Sequence, residues 1–295
     1  MKEKTIYALG FFDGVHLGHQ ALLGACRELA EQENCRTGVV TFTTHPDALV
    51  TGNAPKLINT PMDRQRILGH YGMDRVVELP FDKALMEMPW QEFFRLLLEK
   101  YSAGGLVCGH DFRFGNKGEG NAVLLQQACR QAGIPCRVVP EQKVEGITVS
   151  STYIRRLLED GDMEQAVRFL GHPHILTDTV VSGRHLGRTI GVPTANIAVS
   201  EGVVQPRLGV YACRAVIDGV QYPAVTNVGN RPTVGGHHVT VEPWILDFQG
   251  DLYGKEITLL FYAFLRPEKK FPSMEALQEE IRKNAAQTRI FLENC

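Results

Sequence analysis

The chain has 295 residues, which suggests about two domains, and its 44% hydrophobic and 22% charged residues predict a packed globular protein. Its 31 basic and 33 acidic side chains leave a net charge of −2. Long nucleic acid is therefore not an expected partner, because its binding draws on clustered Lys and Arg. A small anionic ligand needs only a local pocket and is not excluded.

The seven cysteines are scattered along the chain, and no two have the C-x-x-C spacing. This pattern favours reduced thiols and a cytoplasmic location over a disulfide framework or a zinc site. No stretch approaches the ~18 consecutive apolar residues of a membrane span, and the N-terminus has no long apolar leader. We therefore expect no membrane association.

The first half alternates short apolar runs with helical patterns. Strands are predicted at 5–10, 37–42, 75–81, 105–109 and 135–140, and helices at 19–32, 60–72, 89–101 and 120–133. Two short helices are predicted at 152–159 and 162–169. Strands alternating with helices indicate an α/β fold with a parallel sheet, and such sheets bind ligands at the carboxyl ends of their strands.

The second half has the pattern of an antiparallel β structure. Strands are predicted at 174–185, at 237–248, at 255–266 and as two runs within 209–230, where Asp218-Gly219 is a hairpin signal. A helix is predicted at 273–292. These features favour an antiparallel sheet or a small barrel with a terminal helix. The change of pattern near residues 169–174 predicts two domains, residues 1–170 and 171–295.

The segment GFFDGVHLGHQ, residues 10–20, joins the first strand to the first helix. Backbone N–H groups and a helix dipole at such a junction suit an anion. His16 and His19 are three residues apart, so both could face one ligand and stabilise negative charge on a phosphate. A surface loop with two incidental histidines is the alternative. Metal binding is less favoured, because no third ligand lies nearby.

Two further segments follow strands of the same predicted sheet. His45 lies in TFTTHP, after the second strand, where a helix cap or a turn explains it equally well. The loop GHDFRFGNKGEGN, residues 109–121, follows the fourth strand and carries four glycines, Asp111, Phe112 and Arg113. Glycines permit close approach of the backbone to a ligand, and the aromatic rings could stack on a flat ring system. A plain glycine-rich loop is the alternative.

The segment TVSSTYIRRLL, residues 148–158, follows the last strand of the first half. Ser151 and Thr152 can cap a helix, and Arg155 then lies one turn further on, so the three could form a second phosphate site. A plain cap with a surface arginine is the alternative. All four segments follow strand ends at one edge of the predicted sheet, which favours a phosphate-binding site there.

The second half carries two candidate groups of its own. In LGRTIGVPTANI, residues 186–197, Thr194 and Asn196 are alternate residues that would point the same way in an extended segment. Their oxygens suit magnesium and phosphate, although a polar turn also explains them. Glu242 lies within a predicted strand. It is either a solvated surface residue or, if it faces a pocket, a base for a hydroxyl group.

These motifs together resemble the bifunctional bacterial riboflavin kinase/FAD synthetase family over nearly the whole chain. G-F-F-D-G-V-H-L-G-H is similar to its adenylyltransferase motif, a form of the H-x-G-H nucleotidyltransferase signature. T-F-T-T-H-P, G-H-D-F-R-F-G and V-S-S-T-Y-I-R match its later motifs in order. G-R-T-I-G-V-P-T-A-N-I, G-V-Y, N-V-G-N-R-P-T and D-F-Q-G-D-L-Y-G-K match its kinase module.

The resemblance implies an N-terminal Rossmann-like nucleotidyltransferase domain and a C-terminal riboflavin kinase barrel. The barrel would phosphorylate riboflavin with ATP, giving FMN. Thr194 and Asn196 would hold Mg²⁺ and phosphates, and Glu242 would be the general base. Three further residues would bind the nucleotide of the kinase reaction: Gly187, Arg188 and Gly191.

The N-terminal domain would join FMN to the AMP part of ATP, giving FAD and pyrophosphate. The nucleophile is already an anionic phosphate, so His16 and His19 would stabilise charge rather than act as bases. The expected nucleotide- and phosphate-binding residues are Gly10, Phe12, Asp13, Gly18, Ser151, Thr152 and Arg155. The expected flavin-binding residues are His45, Asp111, Phe112 and Arg113. Small molecules would be the partners, and the protein would be a monomer or a weak oligomer.

Four positions depart from the pattern of the family. Thr44 stands where Pro is usual, Asp178 where Gly is common, Trp244 where His is usual and Asn284 where Asp is frequent. None removes a proposed catalytic group, but Trp244 bears on the geometry of the kinase pocket. Two alternatives stay open at this point: a transferase in which only the adenylyl module works, and a non-catalytic flavin- or nucleotide-binding regulator.

Overall fold

The computed structural model describes residues 3–181, 194–198, 200, 202–233 and 236–295. These residues divide into two units. The first consists of Met1–Lys56 and Arg64–Ser150, and the second of Leu57–Asp63 and Ser151–Cys295. Among the described residues, no helix is both long and apolar enough to cross a membrane. All seven cysteines lie in the described ranges and are free.

A five-stranded parallel sheet organises the first unit, as the sequence predicts. Its strands in spatial order are β3-β2-β1-β4-β7. The sheet strands are β1 (Thr5–Leu9), β2 (Arg36–Phe42), β3 (Arg75–Leu79), β4 (Ala103–Gly109) and β7 (Cys136–Val139). The helices that begin between them are α1 (Leu17–Glu33), α2 (Asp47–Val50), α3 (Pro61–His70), α4 (Lys83–Met86), α5 (Trp90–Glu99) and α6 (Ala122–Gln131). Two short hairpins complete the unit: β5 (Arg113–Phe114) with β6 (Gly120–Asn121), and β8 (Lys143–Val144) with β9 (Ile147–Thr148).

The sheet is covered by helices, which explains why all five residues of β1 are buried. Leu22, Cys26 and Leu29 form the buried face of α1, as their spacing predicts. Strand β1 pairs with β2 on one side and with β4 on the other. The chain therefore reverses its direction of winding at β1, and ligands of such sheets bind at the carboxyl ends of the strands beside this switch point. The loops after β1 and β4 are the two that contain the predicted site residues.

A closed antiparallel barrel organises the second unit. Of the two arrangements predicted for this half, an antiparallel sheet or a small barrel, the barrel is confirmed. Its strand order is β10-β11-β14-β13-β12-β15. The strands are β10 (His174–Val181), β11 (Asn196–Ala198), β12 (Gly209–Ile217), β13 (Val220–Thr233), β14 (Gly236–Ile245) and β15 (Glu256–Pro267). The helices are α7 (Ser151–Asp160), α8 (Met163–Leu170) and the terminal α9 (Met274–Glu293). Asp218 and Gly219, both at positive φ, form the predicted two-residue turn between β12 and β13.

A short segment from early in the chain belongs to the barrel unit. The Leu57 N–H donates to the Gly202 carbonyl at 2.7 Å, and the Val204 N–H donates to the Leu57 carbonyl at 2.7 Å. The Asn59 amide donates to the Ile175 carbonyl at 3.2 Å. The chain therefore passes from the first compact unit to the second between residues 150 and 151, and the earlier residues 57–63 also belong to the second unit. The predicted domain boundary at 170/171 stays a prediction.

Candidate functional site

The loop after β1 has an unusual backbone. Phe12 and Val15 adopt positive φ angles of 59° and 39°, and Gly14 between them lies at 79°. A left-handed conformation is uncommon for a residue other than glycine and is unfavourable for a β-branched one such as Val15. The side chains of Phe12 and Val15 are fully buried, so packing holds this turn in place. The turn directs the chain into the first residue of α1.

The turn brings His16 and His19 together, as the sequence predicts. His16 caps α1, and its Nδ1 accepts a hydrogen bond from the His19 backbone N–H at 3.3 Å. The two imidazoles stack with centroids 3.7 Å apart and planes 13° apart. A Cβ at Gly18 would lie 3.2 Å from the His16 ring. His16 is only 6% exposed, which disfavours the alternative of two incidental surface histidines.

The environment of His19 determines its charge. Burial of the ring lowers the pKa of His19 well below its ordinary value, and the neighbouring His16 and Arg64 lower it further. His19 is therefore neutral at pH 7 in this form of the protein. Two imidazoles stacked this closely would also repel each other if both were protonated. Any hydrogen bond to a phosphate would come from a neutral ring N–H together with the exposed backbone N–H groups at the start of α1.

Arg64 is a buried residue of this site that the sequence analysis did not identify. Its side chain is 2% exposed, and it donates from Nη1 to the Phe11 carbonyl at 3.2 Å and from Nη2 to the Phe42 carbonyl at 2.9 Å. Nη2 also lies 3.3 Å from Glu78 Oε1. One signal was present in the sequence: Arg64 shares a helical face with buried Ile67 and Leu68, three and four residues on.

The predicted flavin-binding residues lie at the same edge of the sheet but in different surroundings. His45 Nδ1 accepts from the Asp47 N–H at 3.2 Å, which is the turn-capping role left open by its sequence. Its ring also lies edge-on to Phe11, with centroids 4.7 Å apart. Phe112 is half-buried and stacks on the buried ring of Phe114 at 5.4 Å. The neighbouring Asp111 and Arg113 are exposed.

The remaining predicted phosphate-binding residues divide between the two units. In the first unit, Gly10 and Gly18 are half-buried and Asp13 is buried. Ser151, Thr152 and Arg155 lie in the first turns of α7, which belongs to the second unit. Their role as a second phosphate site stays a prediction. Three predicted nucleotide-binding residues, Gly187, Arg188 and Gly191, lie outside the described residues.

A cleft of about 540 Å³ opens on the barrel, and Glu242 lines it. Glu242 is half-buried on β14, opposite Asn227 of β13, and it accepts a hydrogen bond from the Thr240 hydroxyl at 3.3 Å. The cleft is otherwise lined on one side by barrel residues and on the other by α9, which contributes Met274, Leu277, Ile281 and Asn284. Glu242 therefore faces a pocket, which is the condition for a role as a base.

Thr194 lies between this cleft and a second, smaller one. It pairs with Trp244 of β14 and lines both cavities. The smaller cavity is bounded by Val180, Ala195, Pro243, Ile245 and the segment from Phe248 to Tyr253. Asn196 begins β11 two residues after Thr194. Thr194 is thus the described residue that lines both cavities, and two adjacent pockets suit the transfer of a group between two bound molecules.

Two of the four positions that depart from the family pattern, Trp244 and Asn284, have clear packing roles. Trp244 lines the larger cleft and packs against the buried cluster of Val210, Val225, Leu246 and Ala285. Asn284 is 2% exposed and accepts from Arg266 Nε at 3.0 Å while donating to Gln287 at 3.3 Å. An amide thus supplies both an acceptor and a donor at this position. Trp244 contributes the wall of the cleft and leaves Glu242 open to it.

The oxygen donors beside the clefts fit a hard cation. Thr194 and Asn196 offer a hydroxyl and an amide oxygen, the ligand types of Mg²⁺ when substrate phosphates supply most of the negative charge. Among the described residues, no three His, Cys, Asp or Glu side chains gather as a metal site. A hydroxyl and an amide oxygen, both uncharged, fit a cation whose charge is balanced mainly by a nucleotide.

The parallel-sheet unit and the barrel unit each have a candidate polar site, and the two family models that match the chain are both of transferases that use ATP. The FAD synthetase family model matches residues 1–153, and the riboflavin kinase family model matches residues 170–292. The chain belongs to the family of bifunctional riboflavin kinase/FMN adenylyltransferases, which confirms the resemblance noted from its motifs.

Individual relatives are similar in sequence to this chain over nearly its full length. The bifunctional riboflavin kinase/FMN adenylyltransferase of Listeria monocytogenes is 36% identical over 97% of this chain and 92% of its own. The protein of the same description from Escherichia coli is 35% identical over 98% and 93%. A solved structure described as a macrolide-efflux protein from Streptococcus pneumoniae is 30% identical, with a TM-score of 0.88 over 98% of this chain and 95% of that one.

Proposed function

We propose that separate residues of this bifunctional riboflavin kinase/FMN adenylyltransferase carry its two reactions. The first unit transfers the adenylyl group of ATP to FMN and releases pyrophosphate. The second transfers the γ-phosphate of ATP to riboflavin and releases ADP. The observation that supports this division is that each unit has its own polar site: the stacked histidines at the start of α1, and Glu242 in the cleft of the barrel.

Adenylyl transfer needs positioning and charge stabilisation. An oxygen of the FMN phosphate attacks the α-phosphorus of ATP, and the bond to the pyrophosphate oxygen breaks. The nucleophile is already deprotonated, so no base is required. His16, His19 and the N–H groups at the start of α1 would donate to phosphate oxygens as negative charge shifts onto pyrophosphate. This role suits a neutral His19, which can donate one proton in a hydrogen bond without being charged.

Riboflavin phosphorylation needs a base. Glu242 would take the proton of the ribityl hydroxyl as the hydroxyl oxygen attacks the γ-phosphorus. Its half-buried position in a cleft supports this role, and its hydrogen bond from the Thr240 hydroxyl at 3.3 Å orients the carboxylate. Thr194 and Asn196 would hold Mg²⁺. When bound, this ion neutralises phosphate charge.

The carboxylate of Glu242 provides the test of the kinase assignment. We expect Glu242→Gln to lower FMN formation from riboflavin at least about a hundredfold, because the amide cannot accept the proton. FAD formation from supplied FMN should stay at the wild-type rate. Both products are followed by chromatography with riboflavin or FMN, ATP and magnesium.

The control for Glu242 is Glu256→Gln, which changes an exposed glutamate of strand β15, a barrel strand that does not pair with β14, and should leave both activities intact. Loss of both activities in Glu242→Gln would show that the two sites are not separable. If the unaltered protein makes FAD from FMN but no FMN from riboflavin, only the adenylyl module works. If it makes neither product, it is a binding protein without catalysis.

His19 provides the test of the adenylyl assignment. We expect His19→Ala to slow FAD synthesis from FMN at least about tenfold, because one donor to the phosphates and the stacking partner of His16 are lost. Riboflavin phosphorylation in the same preparation should be unchanged. Lys83→Ala, an exposed residue elsewhere in the first unit, serves as control. An unchanged rate of FAD synthesis in His19→Ala would refute the role given to the histidine pair.

A cytoplasmic location is part of the same proposal and is supported by the seven free cysteines. The expectation of a monomer or weak oligomer, with no nucleic-acid or membrane partner, stays a prediction.

A further inference from the structure

Strands β1 and β2 end around one buried cation, Arg64. The Phe11 carbonyl, just beyond β1, accepts hydrogen bonds from Arg64 Nη1 at 3.2 Å and from the Thr41 hydroxyl at 2.9 Å. The Phe42 carbonyl, which ends β2, accepts from Arg64 Nη2 at 2.9 Å. Arg64 therefore connects the carboxyl ends of two parallel strands at the edge where the sheet binds ligands.

A third strand, β3, and an aromatic ring also hold the guanidinium of Arg64 in place. Glu78 of β3 lies 3.3 Å from Nη2, and Gln65 holds the other oxygen of that carboxylate at 3.0 Å. The ring of Phe11 lies against the guanidinium, 4.6 Å from its carbon to the ring centroid. A charge with only 2% exposure is costly unless such partners compensate it, so the position is closely defined.

The carbonyl that Arg64 holds belongs to the residue before the left-handed turn. Phe12 follows at φ 59°, and its buried ring lies 5.1 Å from His19. The orientation of the Phe11 peptide sets the direction in which the chain enters this turn and so the position of the two histidines at the start of α1. A continuous path of contacts therefore connects the guanidinium of Arg64, through Phe11 and Phe12, to the imidazole of His19.

We propose that Arg64 is a positioning residue for adenylyl transfer: by holding the Phe11 carbonyl it fixes the strained turn that presents His16 and His19 to the phosphates. The inference rests on the proposed role of the histidine pair. Arg64 acts through the loop and the imidazoles and is not assigned a contact with substrate. Its positive charge also contributes to keeping His19 neutral.

Kinetic constants for FMN adenylylation distinguish positioning from binding. We expect Arg64→Gln to lower kcat at least about tenfold, because small displacements of catalytic groups have large effects on rate. The KM values for FMN and ATP should change less than about threefold, since the proposal assigns Arg64 no contact with either substrate. Riboflavin phosphorylation by the same chain should keep its wild-type rate. Arg66→Gln, an exposed arginine of the same helix, is the matched control and should resemble the wild type.

An NMR titration of His19 gives a readout that a purely structural role would not change. The titratable groups around His19 and Arg64 include His16, Asp13 and Glu78. Removal of the cation in Arg64→Gln should raise the pKa of His19, whereas Arg64→Lys, which keeps the charge, should leave that pKa in place. Arg64→Lys should recover only part of kcat, because an ammonium cannot match the planar arrangement of the guanidinium donors.

Wild-type kcat in Arg64→Gln would overturn the proposal. So would full recovery of kcat on cooling to a temperature where circular dichroism shows the variant folded, since the effect would then be one of stability. If Arg64→Gln does not fold, Arg64→Lys decides: wild-type kcat, or failure to fold as well, overturns the positioning role. If His19→Ala is fully active, the proposed function of the histidines fails; if His19→Ala is slow and Arg64→Gln is not, only the inference about Arg64 fails.

Discussion

His174 shows how burial is the main determinant of the charge of one side chain in this protein. It begins β10, it is 1% exposed, and its ring centroid lies 5.7 Å from that of Phe261. Burial, with a smaller contribution from His172, lowers the pKa of His174 to about 3 from its ordinary 6.5. His174 and His19 are thus both neutral at pH 7, but only His19 lies at the edge of a sheet where ligands bind.

The pKa of His174 predicts how the barrel unit responds to acid. The unfolded chain takes up a proton near pH 6.5, whereas the folded chain does so only near pH 3. The stability that neutral His174 contributes is therefore complete above pH 6.5 and is lost as the pH falls toward 3. We expect His174→Leu, which cannot be protonated, to reduce the loss of unfolding free energy between pH 7.5 and 5.

Urea unfolding followed by Trp244 fluorescence measures this effect, in a Trp90→Phe background that leaves only the tryptophan of the barrel unit. The two proteins should differ most at the lower pH. Equal losses of unfolding free energy in both would contradict the role of His174. His110→Leu, an exposed histidine of the first unit, should leave the pH dependence of the barrel as it is.

The residues of the candidate sites were predictable to different degrees. His16 and His19 could be predicted because they are close in sequence and lie where a strand meets a helix. Arg64 could not, because its partners Phe11, Phe42 and Glu78 are backbone or acidic groups from three separate strands. A sequence does not show which carbonyl a distant arginine reaches.

Helix α9 is the element that closes the larger cleft of the barrel. Met274, Leu277, Ile281 and Asn284 recur at helical spacing, so they form one face of α9, and that face lines the cleft. The helix starts at Ser273, whose hydroxyl accepts a hydrogen bond from the Ala276 N–H at 3.3 Å. The first turn of α9, which carries two of the lining residues, therefore depends on this cap.

The cap of α9 predicts a coupled change in stability and kinase activity. Ser273→Ala should destabilise the helix by about 1 kcal/mol. That loss corresponds to a decrease in Tm of about 2–4 °C for a unit of this size. The KM for riboflavin should rise by up to about fivefold, which is the factor equivalent to the same energy. Calorimetry and steady-state phosphorylation assays measure the two effects.

The conservative variant Ser273→Asp keeps an N-cap acceptor and should retain wild-type values of both Tm and KM. FAD synthesis from FMN should be the same in all three proteins. An unchanged KM in Ser273→Ala, despite a lower Tm, would show that the first turn of α9 does not shape the riboflavin site.

At the scale of elements, the length of a helix or strand determined whether the sequence could predict it. The five strands of the sheet, four of the helices beside them and the terminal helix all have enough residues to show a period of two or of 3.6, and all are confirmed. The hairpins β5–β6 and β8–β9 have strands of two residues, too short for any period. The α2 and α4 helices, of four residues each, were missed for the same reason.

At the scale of the whole molecule, the alternation of the first half and the hairpins of the second were sufficient to predict both folds. The path of the chain was not predictable. Residues 57–63 belong to the barrel unit, although in the sequence they stand between two segments of the sheet unit. The contacts of Leu57 with Gly202 and Val204 are backbone hydrogen bonds, which carry no side-chain signature.

Because residues 57–63 belong to the barrel unit, they are translated well before the residues that they contact. Translation proceeds at about 5–20 residues per second, so Leu57 leaves the ribosome on the order of ten seconds before Gly202 and Val204 have been made. Throughout that interval the N–H and C=O groups of Leu57 lack these two backbone partners. The strands of the parallel sheet have all been translated once Val139 is made. The barrel unit can be completed only later, because it joins a segment translated early to strands translated after it.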